Sequence, residues 1–166
     1  RGRPDAARHA LHEADASACR AGDDPLLLDV TILTGMAWID LARLDDAERT
    51  LGAAIAAASG WRDRDRLTLA SLALSRCLFW RGRFHEAGQI VRFETASLPA
   101  SLRAQVSAAQ ARAAVGEGDI ARAIELSTRA LGTAEEAGDA HLMVTAGSAS
   151  ALAHLAVGDR PALARD

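Results

Sequence analysis

The sequence predicts an all-α protein, an α-solenoid of antiparallel helix pairs, on three observations. First, a small Ala recurs a few residues after a helix-ending position: Ala7 in GRPDAA, Ala47 in ARLDDA, Ala87 in GRFHEA and Ala123 in GDIARA, with Leu163 as the variant in GDRPAL. The intervals are 40, 40, 36 and 40 residues, and a fixed period of about 20–50 residues is the mark of stacked repeats. Second, 49% of the residues are hydrophobic, which excludes a disordered chain. Much of that content is Ala, the best helix former. Third, no run alternates polar and apolar residues long enough to form a strand.

The elements follow in order, divided by Gly, Pro and capping acids. Arg3 to about Cys19 is a helix with Pro4 in its first turn and an apolar stripe of Ala7, Leu11, Ala14 and Ala18. Gly22 closes it, and Asp24-Pro25 open a second helix to about Ala42, apolar on more than one side. Such a helix needs neighbours on two faces. Asp45-Asp46 place acid at the positive end of the third helix, which Gly60 stops. Trp61–Arg66 is the longest expected connector. A fourth helix runs to about Arg81 and a fifth from about Phe84 to Ser97. Pro99 opens a sixth to about Val115, and Gly116 and Gly118 bracket a turn. Asp119 and Asp139 then cap two more helices, the last ending near Val157. The pattern makes about nine helical segments, in one repeat domain over residues 1–166 of about four and a half hairpins, a fragment of a larger protein.

Composition narrows the function. A net charge of −3 gives no electrostatic footprint for nucleic acid. All 19 basic residues are Arg, which a GC-rich bacterial genome explains. No apolar stretch reaches the roughly 18 residues needed to span a bilayer. The 2 cysteines, Cys19 and Cys77, form no CxxC and fit a reducing cytoplasm. His9, His12 and Glu13 share a helical turn but lack the further ligands of a closed metal site, so no metal is expected. The chain has no Lys for a phosphate-binding GxxxxGK[ST] loop, and Gly116-Glu117-Gly118 follows no strand. Neither a cofactor nor a catalytic constellation is expected, so the chain is not read as an enzyme.

Within each unit, Gly35, Ser75 and Ala111 are small residues at matching places in the first helix, where two backbones can approach closely. Trp38 supplies a large aromatic, and Ala47, Leu51, Ala54 and Ile55 the second-helix pattern. The next unit supplies Leu74, Ser75, Gly82, Ala87, Val91 and Pro99, and the third Ala111, Gly118, Ala123, Ala130 and Leu131. This pattern resembles the tetratricopeptide repeat. Leu78 and Ala114 stand where the aromatic is expected, Glu94 where a small residue is, and the period exceeds the usual value of about 34. Longer units of this kind resemble the helical-repeat regions of large bacterial signal-transducing regulators, LuxR-type ATP-dependent activators among them.

The resemblance implies a right-handed superhelix whose concave face, built from the first helix of each pair, binds a protein or peptide, another domain of the same chain being one candidate. By position that groove comprises Ile32, Met36, Ile39, Leu69, Leu72, Arg76, Phe79, Trp80 and Arg112. Arg112 follows Arg76 by one repeat of 36 residues. Phe79 and Trp80 are either groove anchors or core, since large aromatics are mostly buried in any role. A small-molecule effector site and a structural spacer are the competing functions, and a homodimer through terminal helices is a further expectation.

Overall fold

The computed structural model describes residues 4–158, and the side chains of Ala7, Cys19 and Leu163 lie outside the described set. Its described residues form eight α-helices and no strand: α1 (Pro4–Ala21), α2 (Asp24–Asp40), α3 (Leu44–Trp61), α4 (Arg64–Trp80), α5 (Phe84–Gln89), α6 (Ala100–Glu117), α7 (Ile120–Ala137) and α8 (Ala140–Val157). The expected segment after Gly158 lies outside the described residues. The chain divides into two compact units, residues 1–77 and 78–166, with the division inside α4. The sequence reads as one repeat domain. Local division is natural in a repeat chain, because each hairpin packs mainly on its sequence neighbours.

In the first unit α1 packs on α2 and α2 on α3. Leu28 and Ile32 of α2, Ala54 and Ala58 of α3, and Ala70 of α4 form one buried cluster. The recurring Ala47 is fully buried, as are Ala87 and Ala123 in the second unit. These are positions where only a small side chain fits between helices. Gly35 is another: a Cβ built on it would sit 2.5 Å from Leu51 Cγ. Ser75 and Ala111, the matching small residues, are buried too.

In the second unit α6, α7 and α8 pack on one another, with α5 against α6. Their shared core is mostly Ala, with Leu126 and Leu142 as its large members. An Ala-rich core keeps helices close and leaves each with little apolar area to contribute.

Helix ends follow the capping chemistry with local departures. Asp23 rather than Asp24 caps α2, its carboxylate accepting from the Leu26 N–H at 3.0 Å. Asp119 and Asp139 cap α7 and α8 as expected. The expected connector at Trp61–Arg66 shrinks to Arg62-Asp63. Here α3 runs through Gly60, Arg62 turns left-handed at φ 57°, and Asp63 at once caps α4 through the Arg66 N–H. Gly116 brackets no turn: it lies inside α6, where a Cβ would strike the Phe84 ring.

The largest departure is the fifth helix, expected to reach Ser97 but ending at Gln89. Residues 90–99 turn so that Val91 and Leu98 are both buried. The Gln110 side chain donates to the Val91 carbonyl at 3.0 Å, satisfying a backbone group that a helix would have used. Glu94, the residue out of pattern, lies in this turn and accepts from the Ala96 N–H.

A second correction concerns α8. Without Asp, Glu, Lys or Arg, it is 18 residues long and apolar enough, by length and composition, to cross a membrane. One side nevertheless belongs to the protein core, through Leu142, Ala146 and Ala149.

Candidate functional site

In the first unit the geometry is set by two ion pairs between α2 and α4. Arg66 donates to both carboxylate oxygens of Asp29, Nε to Oδ1 at 2.7 Å and Nη2 to Oδ2 at 2.8 Å. Its Nη1 also donates to Asp63 at 2.7 Å. Farther along, Arg76 Nη2 donates to Asp40 at 2.9 Å and approaches the Met36 carbonyl. Both numbers rise together on the two helices, so α2 and α4 run parallel and in register. The planar guanidinium of Arg66, held at two oxygens, is the more directional of the two clasps. Its charge is held more firmly than usual by the hydrogen bonds to Asp29 and Asp63. Asp63 is in turn held below the usual carboxylate range, chiefly by its side-chain hydrogen bond from Arg66.

Between the two clasps lie Leu33 and Met36 on α2 and Leu69 and Leu72 on α4. Leu33, Met36 and Leu69 are exposed, and Leu72 is half-buried. Exposed apolar side chains grouped on neighbouring helices make this face a candidate interaction surface.

Ile32 and Ile39, expected to line the groove, are core residues instead. At 100° per residue they share an arc with Leu28 and Gly35, the side of α2 that carries the core cluster. Leu26, Asp29, Leu33, Met36 and Asp40 share a neighbouring, outward arc centred about 110° further round the helix. Leu33 and the two carboxylates are thus what the sequence reading missed. A signal was present: Asp29 to Arg66 and Asp40 to Arg76 are separated by close to one repeat, the spacing that sets first helices side by side.

In the second unit Trp80 is 65% exposed and so is not a core residue. Phe79 is half-buried, its ring 5.7 Å from that of Trp80 and 5.3 Å from that of Phe84. Phe84 in turn seats on Gly116 of α6. Arg112 is half-buried on α6. Beside this group His85 Nδ1 lies 3.0 Å from Glu117. Among the described residues no group of His, Cys, Asp and Glu could hold a metal ion. Cys77 is buried, its thiol directed at the Leu44 carbonyl 3.4 Å away.

No protein-family model and no curated protein matches the chain. A solved structure does: a putative kinesin light chain of Podosopora anserina with nearly identical TPR-like repeats, at a TM-score of 0.72. The match covers 98% of this chain and 82% of that one, at 16% sequence identity. The fold is that of TPR-like helical repeats. At that identity the likeness establishes architecture, and it agrees with the buried Ala47, Ala87 and Ala123.

Proposed function

We propose that the chain is a non-catalytic protein-interaction module, and that its first unit binds a partner segment on the α2/α4 face. The observation that carries this is the exposed patch of Leu33, Met36 and Leu69, held in register by the Asp29–Arg66 and Asp40–Arg76 clasps. Apolar anchors inside a polar rim are the usual make-up of a binding hot spot. TPR-like repeats generally act by binding proteins, which supports the reading. In the second unit Trp80 offers a separate aromatic anchor with Arg112 on the same chain. Arg76 enters partner binding by exchanging its exposed Asp40 for a partner carboxylate, an exchange that costs less than about 1 kcal/mol.

The parent context we propose is a cytoplasmic bacterial regulator of the LuxR-type ATP-dependent class, supported by the sequence resemblance and by the exclusive use of Arg. The net charge of −3 favours protein over nucleic acid as the ligand. Self-association through a terminal helix belongs to the same reading.

The test is selection of peptides from a random library on the 166-residue chain. Affinities of the selected peptides are then measured for Leu69→Glu, Arg76→Ala and Trp80→Ala, with circular dichroism as the folding control. Losses of about 10-fold or more are expected at an anchor. Peptides that bind all three folded variants as well as the parent chain would remove both faces from consideration.

A further inference from the structure

The two clasps on the α2/α4 face differ in what they leave open. Arg66 spends all its guanidinium nitrogens inside the chain, Nε and Nη2 on Asp29 and Nη1 on Asp63. Arg76 spends only Nη2, on Asp40 at 2.9 Å and more weakly on the Met36 carbonyl at 3.5 Å. The Asp40 side chain is 65% exposed, so water already competes for this pair. One end of the face is therefore closed to a ligand's charge, and the other accepts one. Between the ends stand two apolar rungs, Leu33 level with Leu69 and Met36 level with Leu72. Counted back from Arg76, the α4 rungs come four and seven residues earlier, and from Asp40 the α2 rungs do the same. Along a helix axis these steps are about 6 and 10 Å.

We propose that the segment bound here is an amphipathic helix of a protein partner, antiparallel to α2 and α4. A carboxylate in its first turn is held by Arg76, and apolar side chains four and seven residues later sit on the two rungs. The inference rests on the proposed use of the α2/α4 face and adds the ligand's chemistry and direction. Spacing selects a helix. Side chains at i, i+4 and i+7 share one side of a helix and advance by the same steps as the rungs. Like-facing side chains of a strand come about every 6.6 Å, so the third lies about 13 Å along and overshoots the second rung. Charge selects the end. Arg66 has no donor nitrogen left, and its carboxylates, Asp29 and Asp63, repel a third. Arg76 can take both oxygens of an arriving carboxylate in the planar, two-bond arrangement it does not make with Asp40. Helix polarity selects the direction. Helix α2 ends at Asp40 and α4 at Trp80, just past Arg76, so two negative helix ends lie at the open clasp. A helix arriving with its N-terminus there brings a positive end, which is also where a helix best carries an acidic residue.

The experiment is fluorescence anisotropy of the 166-residue chain with three labelled peptides, blocked at both termini and built on an Ala-rich helix. The first carries a glutamate followed four and seven residues later by leucines. The second has glutamine in place of the glutamate, and the third is the first in reverse order. The parent chain should bind the first about 3-fold or more tighter than either of the others. Asp40→Asn removes the competing carboxylate and should tighten the first peptide by about 2–5-fold, leaving the second unchanged. Arg76→Ala should erase the preference for glutamate, and Leu69→Glu should weaken the first peptide by about 10-fold. Circular dichroism is the folding control for each variant. The proposal is overturned if the first peptide binds no better than the second or the third. It is overturned equally by a preference that survives Arg76→Ala, by an Asp40→Asn chain that gains nothing, or by binding of none of the three. The face itself fails separately. Library-selected peptides that ignore Leu69→Glu would remove the face, whereas selected peptides that need Leu69 but carry no acid would overturn only this ligand.

Discussion

Replacing Gly35 with Ala tests the closest helix contact in the first unit. The added Cβ would lie 2.5 Å from Leu51 Cγ and 2.6 Å from Cδ2. Ordinary carbon contacts are about 3.5–4.0 Å, so Leu51 must retreat by roughly 1 Å. It has no free space, being fully buried on α3 beside the fully buried Ala47. Overpacking of this kind costs about 1–3 kcal/mol. Against it stands the helix preference of Ala over Gly, about 1 kcal/mol. The net is a loss of about 0–2 kcal/mol. Gly52→Ala on α3 supplies the reference, since nothing lies within 4 Å of its Cβ. That change should stabilise by about 0.5–1 kcal/mol. The difference between the two variants isolates the contact itself at about 1–3 kcal/mol. In a Leu51→Ala background, itself costing about 2–5 kcal/mol, Gly35→Ala should change sign and stabilise. Urea denaturation followed by circular dichroism measures all four variants, with the denaturant slope checked for constancy. If Gly35→Ala stabilises the parent chain as much as Gly52→Ala does, the close contact does not exist.

Three further changes probe the clasp and the turn. Arg66→Ala removes the pairs to Asp29 and Asp63 and should cost about 1–2 kcal/mol, lowering the melting temperature by about 2–8 °C in calorimetry. Asp63→Asn keeps the α4 cap and removes only the charge. The Asp63 carboxyl is held below its usual value in the folded chain, so its contribution is present above the unfolded pKa and lost as pH falls through the folded one. The stability gap between parent and Asp63→Asn should therefore be constant at neutral pH and close below about pH 4, and a gap independent of pH would contradict the ion pair. Gln110→Ala strips the Val91 carbonyl of its donor and should cost about 1–3 kcal/mol, with faster amide hydrogen exchange in residues 90–99. Unchanged exchange there would mean that Gln110 does not hold the turn.

The repeat alanines show why so much of the architecture is legible. Ala47, Ala87 and Ala123 are fully buried because each sits where two helices nearly touch, and such a restriction recurs wherever the unit recurs. Caps at Asp119 and Asp139 are legible for a similar reason, since one side chain and the N–H groups two or three residues on decide them. Gly60 and Gly116 mislead: both lie within helices, and for Gly116 the cause is the Phe84 ring, which arrives from another helix.

The sequence alone determined the all-α class, the repeat and its register, the buried small residues and most helix ends. Each depends on local spacing, capping or the volume allowed at one position. The tertiary structure decided the early end of α5, where the Gln110 side chain donates to the Val91 carbonyl that a longer helix would have paired. It also decided which side of α2 is core. That helix is apolar over more than half its circumference, so periodicity could not separate Ile32 and Ile39 from Leu33 and Met36. Only the placement of α3 and α4, and the Asp29–Arg66 clasp between α2 and α4, leaves Leu33 and Met36 facing water.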